Sequence, residues 1–208
     1  MQEIKGILFE PVGCLAEFPA DPFLEMSARL SGRKRQTSRS GSRAYWHCLN
    51  LTADFRDPAL EALELEAVNR ASLYEDVLPS LGELESMGVK RLIASSLSQA
   101  AIACFLTACA HRFDGVWSRD NADGVKTAPL IRALDAAGIR PEQAMFLTDT
   151  AEGLKVARSV GVNAILMMND PDESRRLAAH NPAGGIVSLH ELPDFIRLLR
   201  AEHGSARR

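Results

Sequence analysis

The sequence of 208 residues is short of several things, and each shortage removes a class of protein. Its four cysteines, Cys14, Cys48, Cys104 and Cys109, form no Cys-x-x-Cys pair, so neither a zinc knuckle nor a dithiol redox motif is written in their spacing. The amino terminus has no basic-then-apolar leader, which together with unpaired thiols points to a reduced, cytoplasmic setting. No apolar run is long enough to span a bilayer; the longest, around Ala100 to Ala110, is interrupted by Thr107. An excess of one charge is also missing. With 24 Lys+Arg against 27 Asp+Glu the net charge is -3, which provides no global field for nucleic acid or an anionic membrane. His47, His111, His180, His190 and His203 have no metal-ligand spacing.

What remains is an ordinary globular make-up, 46% hydrophobic and 25% charged, long enough for one domain with a substantial insertion or for two small domains. Short apolar runs recur at Ile4–Phe9, Val89–Ala94, Ala144–Leu147 and Asn163–Met168, with a weaker one at Asp114–Trp117. Such runs suit strands buried on both faces. Between them lie helical patterns ending on Gly88, Gly138 and Gly161, each followed within a few residues by a strand. That rhythm predicts an α/β fold with a doubly wound, Rossmann-like parallel sheet.

Residues 16–76 break the rhythm. They contain no strand run but do contain helical stretches such as Pro58–Val68, and so predict a small helical cap inserted into a core made of 1–15 and 77–208. Within the insertion, Arg29 to Arg43 is rich in Arg, Lys, Ser and Gly and reads as a solvated connection. Gly204 to Arg208 is expected to fray.

In a doubly wound sheet, ligands bind beyond the carboxyl ends of the strands. The polar residues there are Glu10, Ser95, Ser96, Thr148 and Asp149, with Lys126 ahead of a helix. Two carboxylates, a lysine and hydroxyls converging on one mouth suit a divalent cation together with a phosphate. Cys14 lies near the same mouth, where a packed thiol is favoured over a nucleophile.

The order and spacing of these residues resemble the haloacid dehalogenase superfamily, in the branch with a helical cap after the first motif. Ile7–Leu15 resembles the apolar strand followed by Asp-x-Asp-Gly-Thr-Leu, and Arg91–Ser96 resembles the second motif. Lys126 occupies the third, and Phe146–Asp149 with the following helix resembles the fourth. The resemblance implies catalytic roles for Glu10 and Lys126. It implies phosphate binding by Ser95, Ser96 and Lys126, and Mg2+ held by Glu10, the Val12 carbonyl and Asp149.

The departures are specific. Glu10 and Val12 stand where the family has its nucleophilic and its acid/base aspartate, and the second acid of the fourth motif is absent, Glu152 lying at a spacing that does not fit. The first reading is therefore a member impaired in phosphohydrolase chemistry that keeps a Mg2+ and anion pocket and works by binding a small anionic or phosphorylated ligand, or a protein partner. The second is an active Mg2+-dependent hydrolase of a small phosphorylated metabolite that uses Glu10. A nucleic-acid module built on Arg29 to Arg43 is a weaker third, opposed by the net charge.

Overall fold

The structure is a computed structural model and describes residues 3–32, 40–109, 113–169 and 171–205. In chain order the elements are β1 (Gly6–Phe9), a single interrupted turn α1 (Pro11–Cys14), β2 (Ala16–Glu17), α2 (Asp21–Ser31), α3 (Gly41–Leu51), α4 (Pro58–Asn69), β3 (Ser72–Leu73) and α5 (Val77–Ser86). They continue with β4 (Lys90–Ala94), α6 (Gln99–Ala108), β5 (Gly115–Trp117), α7 (Thr127–Ala137), β6 (Ala144–Thr148), α8 (Ala151–Val160), β7 (Asn163–Met167), α9 (Pro171–Ala178), β8 (Gly184–Ile186) and α10 (Glu191–Ser205).

Six strands form one parallel sheet in the order β5-β4-β1-β6-β7-β8. β1 lies inside it, with Leu8 opposite Leu92 on one side and Phe146 on the other. All its side chains are buried, as a strand covered on both faces requires. The chain winds outward through β4 and β5, then crosses β1 to add β6, β7 and β8 on the other side. The order therefore reverses at β1, and the crevice for a ligand opens beyond its carboxyl end, where Glu10 follows Phe9. Gly138 and Gly161 close α7 and α8 in the left-handed conformation, at φ 64° and 83°, as their places before β6 and β7 predict.

The helices α2, α3 and α4 enter between β1 and β4 and share an aromatic interior in which Phe23 lies 5.2 Å, ring to ring, from Tyr45. Two elements differ from the sequence reading. A two-stranded antiparallel ribbon, β2 with β3, joins the ends of the 16–76 stretch, and strands of two residues are too short to leave a periodicity. β8 begins Gly-Gly rather than with an apolar run, because a Cβ on Gly184 would come 2.4 Å from the Phe195 ring of α10. Of the basic stretch, Arg29 to Ser31 ends α2 and Gly41 to Arg43 begins α3, while 33–39 lies outside the described residues. At the other end α10 runs through Gly204 to Ser205, and 206–208 are outside the described residues.

Candidate active site

Glu10 sits at the carboxyl end of β1, and the next residues turn the chain back over it. Pro11 opens the turn, Val12 is extended at φ -71° and ψ 112°, and Gly13 reverses at φ 80°. Only glycine fits there, since a Cβ would lie 2.3 Å from Asp149 Oδ2. The Val12 backbone N–H then points back at the Glu10 carboxyl, and Ser95, one residue beyond β4, donates its hydroxyl to Glu10 Oε1 at 2.5 Å. Glu10 is only 2% exposed. Burial pushes its carboxyl up to about 8, against the pull of Ser95 and the Val12 N–H and with further repulsion from Asp149 and Glu64. The acid at the head of β1 is thus mostly protonated at neutral pH.

Asp149 follows β6 and faces the same turn. Ser42 of α3 donates its hydroxyl to Asp149 Oδ2 at 2.5 Å, and Asn169, beyond β7, reaches Asp149 at 3.4 Å while donating to the Gly13 carbonyl at 2.7 Å. Burial raises Asp149 to about 6, and Ser42, Asn169 and Arg43 oppose the rise. A second acid four residues on is sterically barred, because a Cβ on Gly153 would sit 1.9 Å from the buried Thr148 Oγ1.

Lys126 adopts φ 61° and ψ -95°, a backbone region that costs a non-glycine residue about 1–3 kcal/mol. Ser96 holds it there, its hydroxyl accepting the Lys126 N–H at 2.8 Å. The ammonium reaches Asn50 of α3, donating to Oδ1 at 2.7 Å. The structure therefore brings Glu10, Ser95 and Asp149 together, uses Ser96 as a backbone partner of Lys126, and carries the Lys126 charge to α3.

Sequence reasoning missed a second buried layer behind these residues. Glu64 of α4 is fully buried and pairs with Arg119, which is 1% exposed and also donates to the Ser96 carbonyl at 3.0 Å. Glu64 also accepts the Ser98 N–H at 2.9 Å. Burial raises the Glu64 carboxyl, and the Arg119 guanidinium opposes that rise. The signal was present in α4, whose buried stripe Leu60, Glu64, Ala67 carries an acid where the helical period calls for an apolar residue. Arg119 follows the weak strand β5, a strand-end position that the crevice rule covers. Tyr45, fully buried, has no hydrogen-bond partner for its hydroxyl among the described residues, and burial pushes its pKa well up, with further repulsion from Glu64 and Glu10. Cys14 is buried and its thiol is pushed well up, consistent with packing rather than a thiolate. Cys104 is half-buried and donates to Asn69.

A cavity of about 460 Å³ opens beside the site, walled by Gly13, Arg43, Tyr74, Asp149, Met167 and Asn169 among others, while Glu10, Ser95 and Lys126 do not line it. No cluster of three or more His, Cys, Asp or Glu suited to a metal occurs among the described residues.

Residues 42–167 match the family model described as haloacid dehalogenase-like hydrolase, a span that starts after Glu10 and its turn. No match is found among curated proteins. Among solved structures, a haloacid dehalogenase-like family protein from Streptococcus pneumoniae is similar at TM-score 0.70 and 18% identity, covering 94% of this chain and 99% of its own. CbbY from Rhodobacter sphaeroides, solved in complex with phosphate, gives TM-score 0.67 and 19% identity over 91% of this chain and 96% of its own. The L-2-haloacid dehalogenase of Xanthobacter autotrophicus, with chloropropionic acid covalently bound, gives 0.62 and 18% over 93% and 98%. At these identities the likeness is one of fold.

Proposed function

Because the chain belongs to the haloacid dehalogenase-like hydrolase family, we propose that it is a member whose first-motif chemistry is impaired and whose pocket binds a small anionic or phosphorylated ligand without turning it over. The observation that carries this reading is Glu10 itself, buried, bonded by Ser95 and held near pKa 8. Without a bound cation only about a tenth of such a carboxyl is ionised at pH 7, so Glu10 depends on a cation for its charge. Its extra methylene relative to aspartate then displaces the attacking oxygen, and roughly 1 Å of displacement costs ~10²-fold in rate. Val12 presents no acid to the leaving group, which costs another ~10²- to 10⁴-fold where the leaving alkoxide needs a proton.

The residues still suit a water-rich Mg2+ site. The Asp149 carboxylate pushes the Glu10 pKa further up, a repulsion that a divalent cation relieves, and the Val12 carbonyl offers a third oxygen. When bound there, the ion would supply positive charge that ionises both acids and draws phosphoryl oxygens toward Lys126. Glu10 and Asp149 would hold it, Ser95 would orient Glu10, and the helices α2 to α4 would act as the cap that excludes water.

The test is an assay of phosphorylated metabolites with Mg2+, including an acyl phosphate, on wild type, Glu10→Ala and Glu10→Asp/Val12→Asp. Turnover confined to the double variant supports the reading. Wild-type turnover that Glu10→Ala abolishes overturns it in favour of an active hydrolase using Glu10.

A further inference from the structure

Asn169 lies two residues beyond β7, and its carboxamide joins the turn after Glu10 to Asp149. Its Nδ2 donates to the Gly13 carbonyl at 2.7 Å and lies 3.4 Å from Asp149 Oδ2, the same oxygen to which Ser42 donates at 2.5 Å. Both side-chain donors thus meet one oxygen, and Asp149 Oδ1 has no side-chain donor among the described residues. Gly13 is the loosest joint of the turn, because it has no side chain and sits at φ 80°. A larger residue cannot stiffen it, since a Cβ would strike Asp149. A hydrogen bond from another strand end fixes the Gly13 peptide instead, and with it the neighbouring Val12 carbonyl. Asn169 is itself exposed and lines the cavity, so burial does not set its position.

We propose that Asn169 is a positioning residue for a divalent cation, its carboxamide tying the turn that carries the Val12 carbonyl to Asp149 and so fixing the spacing of their oxygens for Mg2+. This rests on the reading of Glu10, the Val12 carbonyl and Asp149 as the cation's oxygens. Mg2+ demands near-octahedral oxygens at about 2.0–2.1 Å, whereas Ca2+ accepts looser sets at about 2.3–2.6 Å. A tied frame therefore favours Mg2+, and untying it weakens Mg2+ more than Ca2+. The amide does this without adding a third carboxylate to a pair in which Asp149 already repels the Glu10 charge.

The experiment titrates MgCl2 and, separately, CaCl2 by calorimetry into wild type, Asn169→Ala and Asp149→Asn, with thermal unfolding of each in a chelator. Asn169→Ala changes an exposed position and should unfold close to wild type. Its Mg2+ binding should weaken about 10-fold, the lower end of the loss when a partner of the metal's ligands is removed. Its Ca2+ binding should weaken no more than about 3-fold, since looser oxygens still suit that ion. Equal losses for the two ions overturn the positioning role, because a fixed spacing would discriminate between them. A larger loss for Ca2+ overturns it too, by making the carboxamide oxygen a direct ligand. Unchanged affinities in Asn169→Ala, with Mg2+ binding abolished by Asp149→Asn, overturn it while leaving the cation site standing. Wild type that binds no Mg2+, or whose Mg2+ binding Asp149→Asn leaves unchanged, overturns the cation site and the role of Asn169 together.

Discussion

At the scale of single residues, the site is defined by what each side chain is prevented from doing. Glu10 is kept from ionising by burial, and Gly153 is kept from being an acid by Thr148. The second constraint is testable without activity. Gly153→Asp should lose about 1–3 kcal/mol in a denaturant titration through overpacking against Thr148 Oγ1. Combined with Thr148→Gly, it should cost less than the two single changes summed, because the clash is shared. Additive losses would show that Thr148 is not the obstacle. Lys126 carries the opposite constraint, a strained backbone held by one hydroxyl. Ser96→Ala should therefore destabilise by about 1 kcal/mol and leave the Lys126 amide less protected from exchange, whereas an unchanged amide would mean that the turn does not depend on Ser96.

At the scale of elements, the helices α3 and α4 couple the insert to the sheet by different means. α4 contributes a buried charge, and removing it strands another: Glu64→Ala should cost about 3–5 kcal/mol because Arg119 is left unpaired in the interior. Glu64→Met/Arg119→Met should recover most of that loss in equilibrium unfolding, and a double variant as unstable as Glu64→Ala would show that Arg119's bond to Ser96 outweighs the pair. These elements also show what was legible in the sequence. β1, β4, β6 and β7 were legible because strands buried on both faces are unbroken apolar runs, and α7 and α8 because Gly138 and Gly161 mark their ends. Glu10, Ser95 and Asp149 were legible because each follows such a run. Glu64, Arg119, Ser42 and Asn50 were not, since their roles are set by helices from another part of the chain crossing over the strand ends. The departure of Lys126 toward Asn50 likewise depends on where α3 lies.

At the scale of the whole molecule, a closed site full of raised acids leaves a mark on stability. Glu10 is lifted from 4.5 to about 8 and Asp149 from 3.8 to about 6, and burial raises Glu64 as well. Between its unfolded and folded values each acid holds a proton in the native state that the unfolded chain has released. Its contribution is complete below the unfolded value and is lost as pH rises through the folded one. For Glu10 the full loss is on the order of 5 kcal/mol. The measurement that bears most directly on the locked, protonated Glu10 is therefore the unfolding free energy from pH 4.5 to 9 without divalent metal, for wild type and Glu10→Gln. The expected result is wild-type stability that falls steadily toward pH 8, with Glu10→Gln, which cannot ionise, losing much of that slope between pH 6 and 8. Wild-type stability that is flat or rises over that interval, with Glu10→Gln parallel to it, would contradict the assignment and return Glu10 to the ionised state a nucleophile needs.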